Sequence, residues 1–260
     1  MDNKIFGISI TEWLAIIGAF AWLPSIIDWI NNWLTRPRLS MIPDRLVEIG
    51  YTANGHIVNV RLAFTTEKKE ALIRNVTLSL KHEKYDTHLF QWEWFEEELM
   101  QMETLDAGSI PYKKNQRAIA IKVLEDNLIE KKVGFHETEF KKSYDKKIKE
   151  LRDVFHIWMT QNKKMDDLRA TNEYNAFQDL IKNSFSWRVG VYTATVKVFT
   201  DDLKNAATEI TIQFSLTSLD LKRLERNIAE TQEYTDNSFI VLNPDYKPNW
   251  NWIYTEVHEI

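Results

Sequence analysis

Two spacings of apolar residues divide this chain, and they restrict its fold more than any motif does. Val58, Val60, Leu62 and Phe64 alternate with Asn59, Arg61 and Ala63. The same period of two recurs in Val76, Leu78 and Leu80, in Tyr192, Ala194, Val196 and Val198, and in Ile210, Ile212, Phe214 and Leu216. Alternation of this kind predicts strands with one face buried. Between these runs the spacing changes. Phe140, Tyr144, Ile148, Leu151, Phe155 and Trp158 recur at intervals of four, four, three, four and three. That is an amphipathic helix of about six turns. A mainly β domain interrupted by helices accommodates both patterns.

Turn chemistry fills in the order. Leu46–Tyr51 runs into Thr52-Ala53-Asn54-Gly55, and Asn-Gly between apolar runs signals a hairpin because both residues tolerate positive φ. A second hairpin turns near Lys84-Tyr85-Asp86 and returns through Phe90, Trp92 and Trp94. Arg117–Leu124 reads as a further strand, with Ile119, Ile121 and Val123 on one face. Short strands at this density predict a β-sandwich. A second helix over about Thr171–Lys182, with Tyr174, Phe177 and Leu180 inward, makes residues 137–183 an inserted helical hairpin. Thr217-Ser218-Leu219-Asp220 reads as a capping box that opens a C-terminal helix over 218–234, with Leu221, Leu224 and Ile228 buried. The tail places Trp250, Trp252 and Tyr254 on one face of a last short strand. They form a candidate partner surface, because aromatic anchors dominate interfaces; packing into the core is the plainer expectation.

The segment Trp187-Arg-Val-Gly190-Val-Tyr192, followed by Val196-Lys-Val198, resembles the last hairpin of many immunoglobulin-like and fibronectin-like sandwiches, where a Gly-x-Tyr opens the penultimate strand. The resemblance spans about 30 residues and implies a fold, not an activity. The disulfide of antibody domains is absent, since the chain has no cysteine.

Ahead of this domain, residues 1–35 form a separate region. Glu12 and Asp28 are the only charges between Ile5 and Leu34. The fifteen uncharged residues from Trp13 to Ile27 would make a helix of roughly 22 Å, shorter than the ~30 Å hydrocarbon core. Adding Ile5 to Thr11 makes it long enough. Trp13, Leu14, Ile16, Ile17, Phe20 and Trp22 are its predicted membrane contacts, and Trp29 and Trp33 fit an aromatic belt at the headgroup level. Pro24 breaks the helix, and Leu23, Ile27, Ile30 and Leu34 then fall at the spacing of a short amphipathic helix lying in the interface. A buried core helix, a purely interfacial anchor and a signal peptide are the competing readings. Arg36, Arg38 and Arg45 follow the segment while Lys4 precedes it, which predicts a single-pass protein with its domain, residues 36–260, on the cytoplasmic side.

Composition closes off some functions. A net charge of −5 disfavours a dedicated nucleic-acid binder. No thiol chemistry is available, and seven scattered glycines form no phosphate loop. No catalytic, cofactor or metal residues are assigned. His82 and His88 flank the second hairpin and could share a metal, although histidines at a turn are more often solvated. Glu96-Glu97-Glu98 reads as a solvated acidic face, and the lysines of 141–149 as a solvated helix face. The expectation is a membrane-anchored, non-enzymatic binding or scaffolding protein that touches lipid through its N-terminal helix and a protein partner through its domain. The alternatives are a membrane-acting effector of a bacterial defence or toxin system, and a hydrolase with dispersed Asp, Glu and His.

Overall fold

A computed structural model describes residues 4–5, 8–9, 22–34, 37–104, 108–161, 165–201, 204–237, 243 and 245–260. Two short N-terminal strands, β1 (Lys4–Ile5) and β2 (Ile8–Ser9), pair with each other, and helix α1 spans Leu23–Leu34. The domain begins with β3 (Arg38–Thr52) and β4 (Gly55–Glu67), joined by a tight turn with Gly55 at φ +80°. Then come β5 (Ala71–Ile73), β6 (Asn75–His82), β7 (Thr87–Thr104), β8 (Gly108–Arg117), β9 (Ile121–Val123) and β10 (Leu128–Glu137). Helices α2 (Thr138–Thr160), α3 (Met165–Arg169) and α4 (Asn172–Asn183) follow. The chain finishes with β11 (Gly190–Phe199), β12 (Thr208–Leu216), α5 (Ser218–Thr235), β13 (Ile253–Glu256) and β14 (His258–Glu259).

The predicted sandwich gives way to a single antiparallel sheet that curls until it is nearly closed. Its order is β3-β4-β10-β7-β6-β11-β12, with β13 beside β3 and β14 beside β12. Because β13 and β14 are consecutive, the stretch 253–259 lies between the first and last of these strands: Val257 N–H donates to Arg45 O (2.9 Å) and Ile260 N–H to Thr211 O (3.2 Å). A period of two says that one face of each strand is buried. It does not say whether those faces meet across two sheets or inside one, so sandwich and barrel read alike. Val47, Ile49, Val58, Val60, Phe64, Val133, Phe135 and Ile212 fill the interior.

Three local expectations also change. Residues 118–120 leave the sheet, so Ile119 is 78% exposed while Ile121 and Val123 are buried in the small β5–β9 pair. The register between β7 and β10 shifts at Glu93, so Phe90, Trp92 and Phe95 face the core and Trp94 turns outward. At the C-terminus Ile253 takes the core position, which leaves Trp252 and Tyr254 on the outer side.

Local rules explain the helices. Thr171 caps α4 by accepting from Tyr174 N–H, and Thr217 and Asp220 form the reciprocal capping box of α5. Phe140, Ile148, Leu151 and Trp158 are the buried stripe of α2. The helices gather where β3 turns into β4 and β10 ends. There the Tyr51 ring meets Phe140 and Phe185 edge-on, its hydroxyl donates to Ile181 O, and Trp187 Nε1 donates to Gly50 O.

The predicted spanning helix falls mostly on residues outside those described, as do Trp13, Leu14, Ile16, Ile17 and Phe20. Among the described residues no helix is long and apolar enough to cross a membrane. Trp22 and Trp29 are exposed, and Trp33 lies within α1.

Candidate functional site

The outer face of β13, β3, β4, β10 and β7 carries a cleft of about 520 Å³. Strand register builds it. Tyr254 stands opposite Glu48, Glu48 opposite Asn59, Asn59 opposite Gly134, and Gly134 opposite Trp94. One outward-pointing row therefore crosses five strands. Trp94 lies on Gly134 so closely that a Cβ there would sit 2.1 Å from its Cε2. Trp252 covers Gly50 in the same way, at 2.3 Å from Cζ3. Each ring takes the space that a side chain would occupy, which is why these strand positions are glycine. Trp250 completes the wall and meets Tyr234 of α5 edge-on at 6.0 Å. Its neighbours are tied to the same helix: Asn251 N–H donates to Asn227 Oδ1 (2.8 Å), Asn227 Nδ2 to Asn251 O (2.8 Å), and Asn249 N–H to Glu230 (2.8 Å). The tryptophan arm is thereby held in place by hydrogen bonds.

The floor is polar. Glu48 accepts from Lys132 Nζ (2.6 Å), Asn59 Nδ2 (2.6 Å) and the Tyr254 hydroxyl (2.7 Å). Burial alone would raise its pKa, but these three bonds outweigh burial and hold the carboxyl below its ordinary value. Glu93 behaves likewise: burial raises it, and Lys141 at 2.5 Å brings it down further. Each carboxylate is thus ionised beside its own ammonium. His136 is only 6% exposed, and burial pushes its imidazole down to about 4, with Lys141 adding to the effect and Glu93 opposing it. It is neutral near pH 7.

Two buried atoms of this floor have no partner: Asn59 Oδ1 and His136 Nε2. Asn59 is 4% exposed; its amide N–H donates to Glu48, while no donor among the described residues reaches its Oδ1. Leaving such a group unpaired costs about 1–3 kcal/mol.

The structure brings two of the three candidate partner residues, Trp250 and Trp252, into the cleft wall, and it ties the third, Tyr254, to the floor. Sequence reading did not single out Glu48, Asn59, His136 or the orientation of Trp94. The available signal was an isolated glycine inside each of two strand runs, at Gly50 and Gly134. The metal idea at the second hairpin finds no site. His82 Nδ1 accepts from Lys84 N–H (3.1 Å) and Nε2 faces Val189 O (3.2 Å), so the main chain occupies both nitrogens. Among the described residues no group of three or more His, Asp or Glu side chains is placed to hold a metal. The acidic run stands opposite Lys113 and Lys114 of β8, with Lys113 Nζ 3.0 Å from Glu96.

No known protein family matches the chain, and no curated protein matches it. Among solved structures, a family 123 glycoside hydrolase from Clostridium perfringens, described for glycolipid glycan hydrolysis, is similar at a TM-score of 0.32 and 10% identity. The match covers 70% of this chain and 27% of that one. A likeness of that size carries no inference.

Proposed function

We propose that this is a membrane-attached recognition protein whose outer cleft binds a neutral saccharide. The observation that carries the reading is the pair of unpartnered buried atoms, Asn59 Oδ1 and His136 Nε2, in a cleft walled by tryptophans. Charge selects the ligand. Glu48 and Glu93 are matched by Lys132 and Lys141, so the cleft offers no surplus charge to an ion. Vicinal hydroxyls satisfy an acceptor and an imidazole at once, and a pyranose C–H face packs on indole. The volume lies within the range of small-ligand sites.

Attachment rests on Trp22 and on Ile26, Ile27, Trp29 and Ile30 of α1, which are exposed among the described residues. Its 12 residues are about 18 Å long, which suits an interfacial helix better than a spanning one. The cytoplasmic placement of the domain is part of the same proposal and rests on Arg36, Arg38 and Arg45. An immunoglobulin-like relation finds support in Tyr192, whose hydroxyl accepts from Arg188 N–H (2.7 Å) and donates to Arg188 O (3.1 Å), as in a tyrosine corner.

The test is a titration of the full chain with maltotriose, cellotriose, chitotriose and mannotriose, followed by tryptophan fluorescence and thermal shift. One of them is expected to saturate the signal and to lose at least about tenfold in affinity in Trp250→Ala and in Asn59→Leu. If none raises the melting temperature at about 10 mM, the saccharide reading fails.

A further inference from the structure

On the inner face, at the end of the barrel where the helices gather, lies a second cavity of about 300 Å³. Glu137, the last residue of β10, sits in its wall with both carboxylate oxygens taken by imidazoles: His56 Nδ1 at 2.6 Å and His88 Nδ1 at 2.6 Å. A carboxylate only accepts, so each ring carries its proton on Nδ1 and leaves Nε2 as the basic nitrogen. The two rings then differ. His56 Nε2 accepts from Ser186 N–H at 2.9 Å, with the Ser186 hydroxyl at 3.1 Å, and its side chain is 3% exposed. His88 is 41% exposed at the side chain, and its Nε2 has no protein partner.

We propose that this cavity is a hydrolytic site for small carboxylic esters, with His88 as the general base, Glu137 as its positioning residue and water as the nucleophile. Water attacks the carbonyl carbon and gives its proton to His88 Nε2. The carbonyl electron pair moves onto oxygen, where Arg188 in the cavity wall stabilises the negative charge. Collapse reforms the carbonyl and breaks the carbon–oxygen bond to the alcohol. The departing alkoxide takes the proton back from His88, and acid and alcohol leave with no change of oxidation state. Tyr85, Trp187 and Tyr192 give the acyl group an apolar wall. Ser186 and His56 hold the far side of Glu137, so the relay Ser186–His56–Glu137 fixes the base and does not supply the nucleophile. The site is independent of the outer cleft.

The full chain is assayed with p-nitrophenyl acetate and p-nitrophenyl butyrate. Turnover is expected to fall about 100-fold in His88→Gln, whose half-exposed position keeps the fold intact. Among variants of equal melting temperature, Glu137→Asp should recover part of the turnover that Glu137→Gln loses, a difference that loss of folded protein alone does not produce. Mass spectrometry of the quenched reaction should find no acyl group on Ser186. An acyl-Ser186 adduct, unchanged turnover in His88→Gln, or no turnover in the full chain would each overturn the proposal.

Discussion

His136 and Glu137 are neighbours on β10, yet they serve opposite faces of the sheet and are held in opposite ways. Glu137 points into the barrel end, where burial alone would raise its pKa but the two imidazoles outweigh it and keep the carboxyl below its ordinary value. His136 points outward, where burial keeps the imidazole neutral and no protein group reaches its Nε2. The inner network closes on itself through Ser186, whereas the outer one stops at two unpaired atoms. A buried polar group that protein satisfies adds to the rigidity of its surroundings, and one that protein leaves unsatisfied carries an energetic cost that calls for its own explanation.

The contrast can be broken most forcefully at Glu137. Replacing it with alanine strands the Nδ1–H of two imidazoles and should cost about 1–3 kcal/mol for each in chemical denaturation; a loss below about 1 kcal/mol in all would mean the network is not holding the barrel end. Acid titration of stability separates the two neighbours next. His136 falls from 6.5 to about 4 on folding, so unfolded chains bind its proton first as the medium becomes acidic. Stability should therefore decline from pH 6.5 to about pH 4, by on the order of 3 kcal/mol, and His136→Leu should flatten that limb. Glu137 works in a lower window. Its folded value is depressed, so its contribution is intact above its ordinary value of 4.5 and disappears as pH falls through the folded value. An acid limb that survives in His136→Leu between pH 6.5 and 5 would remove the first half of the comparison. Gly134→Ala comes third: the new Cβ displaces Trp94, for about 1–3 kcal/mol and a loss of saccharide response at the cleft, while ester turnover in the cavity stays unchanged. The smallest effect is expected from Trp250→Ala, which should alter unfolding by less than about 1 kcal/mol yet abolish the fluorescence response to sugar.

Alternation in β4, β6, β11 and β12 and the stripe from Phe140 to Trp158 made the strands and helices legible in the chain, as did the capping box at Thr217. Closure of the sheet was not, because a strand's pattern records which face is buried and not what covers it. Trp94 escaped for a related reason. One extra residue at Glu93 inverts the side chains that follow it, Trp94 and Phe95, and nothing in Gln91-Trp-Glu-Trp-Phe95 announces that shift. Half of the outer cleft was foreshadowed in Trp250 and Trp252. Asn59 was not, since a polar residue between valines reads as solvent-facing, and neither was His136, which stands between Phe135 and Glu137. The inner cavity was invisible for a topological reason: His56, Glu137 and His88 are far apart in sequence and meet because β4, β10 and β7 are neighbours in the sheet, with Ser186 supplied by the segment before β11.

The stretch 253–259 changes partner at Val257, pairing with β3 before it and β12 after it. In a growing chain β3 is made early and β12 late, and both keep an open hydrogen-bonding edge until this segment emerges. Until then the protein is an unsealed sheet with two sticky margins, the state in which strands of neighbouring chains pair by mistake. Sealing is a late, long-range event, and the yield of correctly folded molecules should depend on how quickly those few residues find the seam.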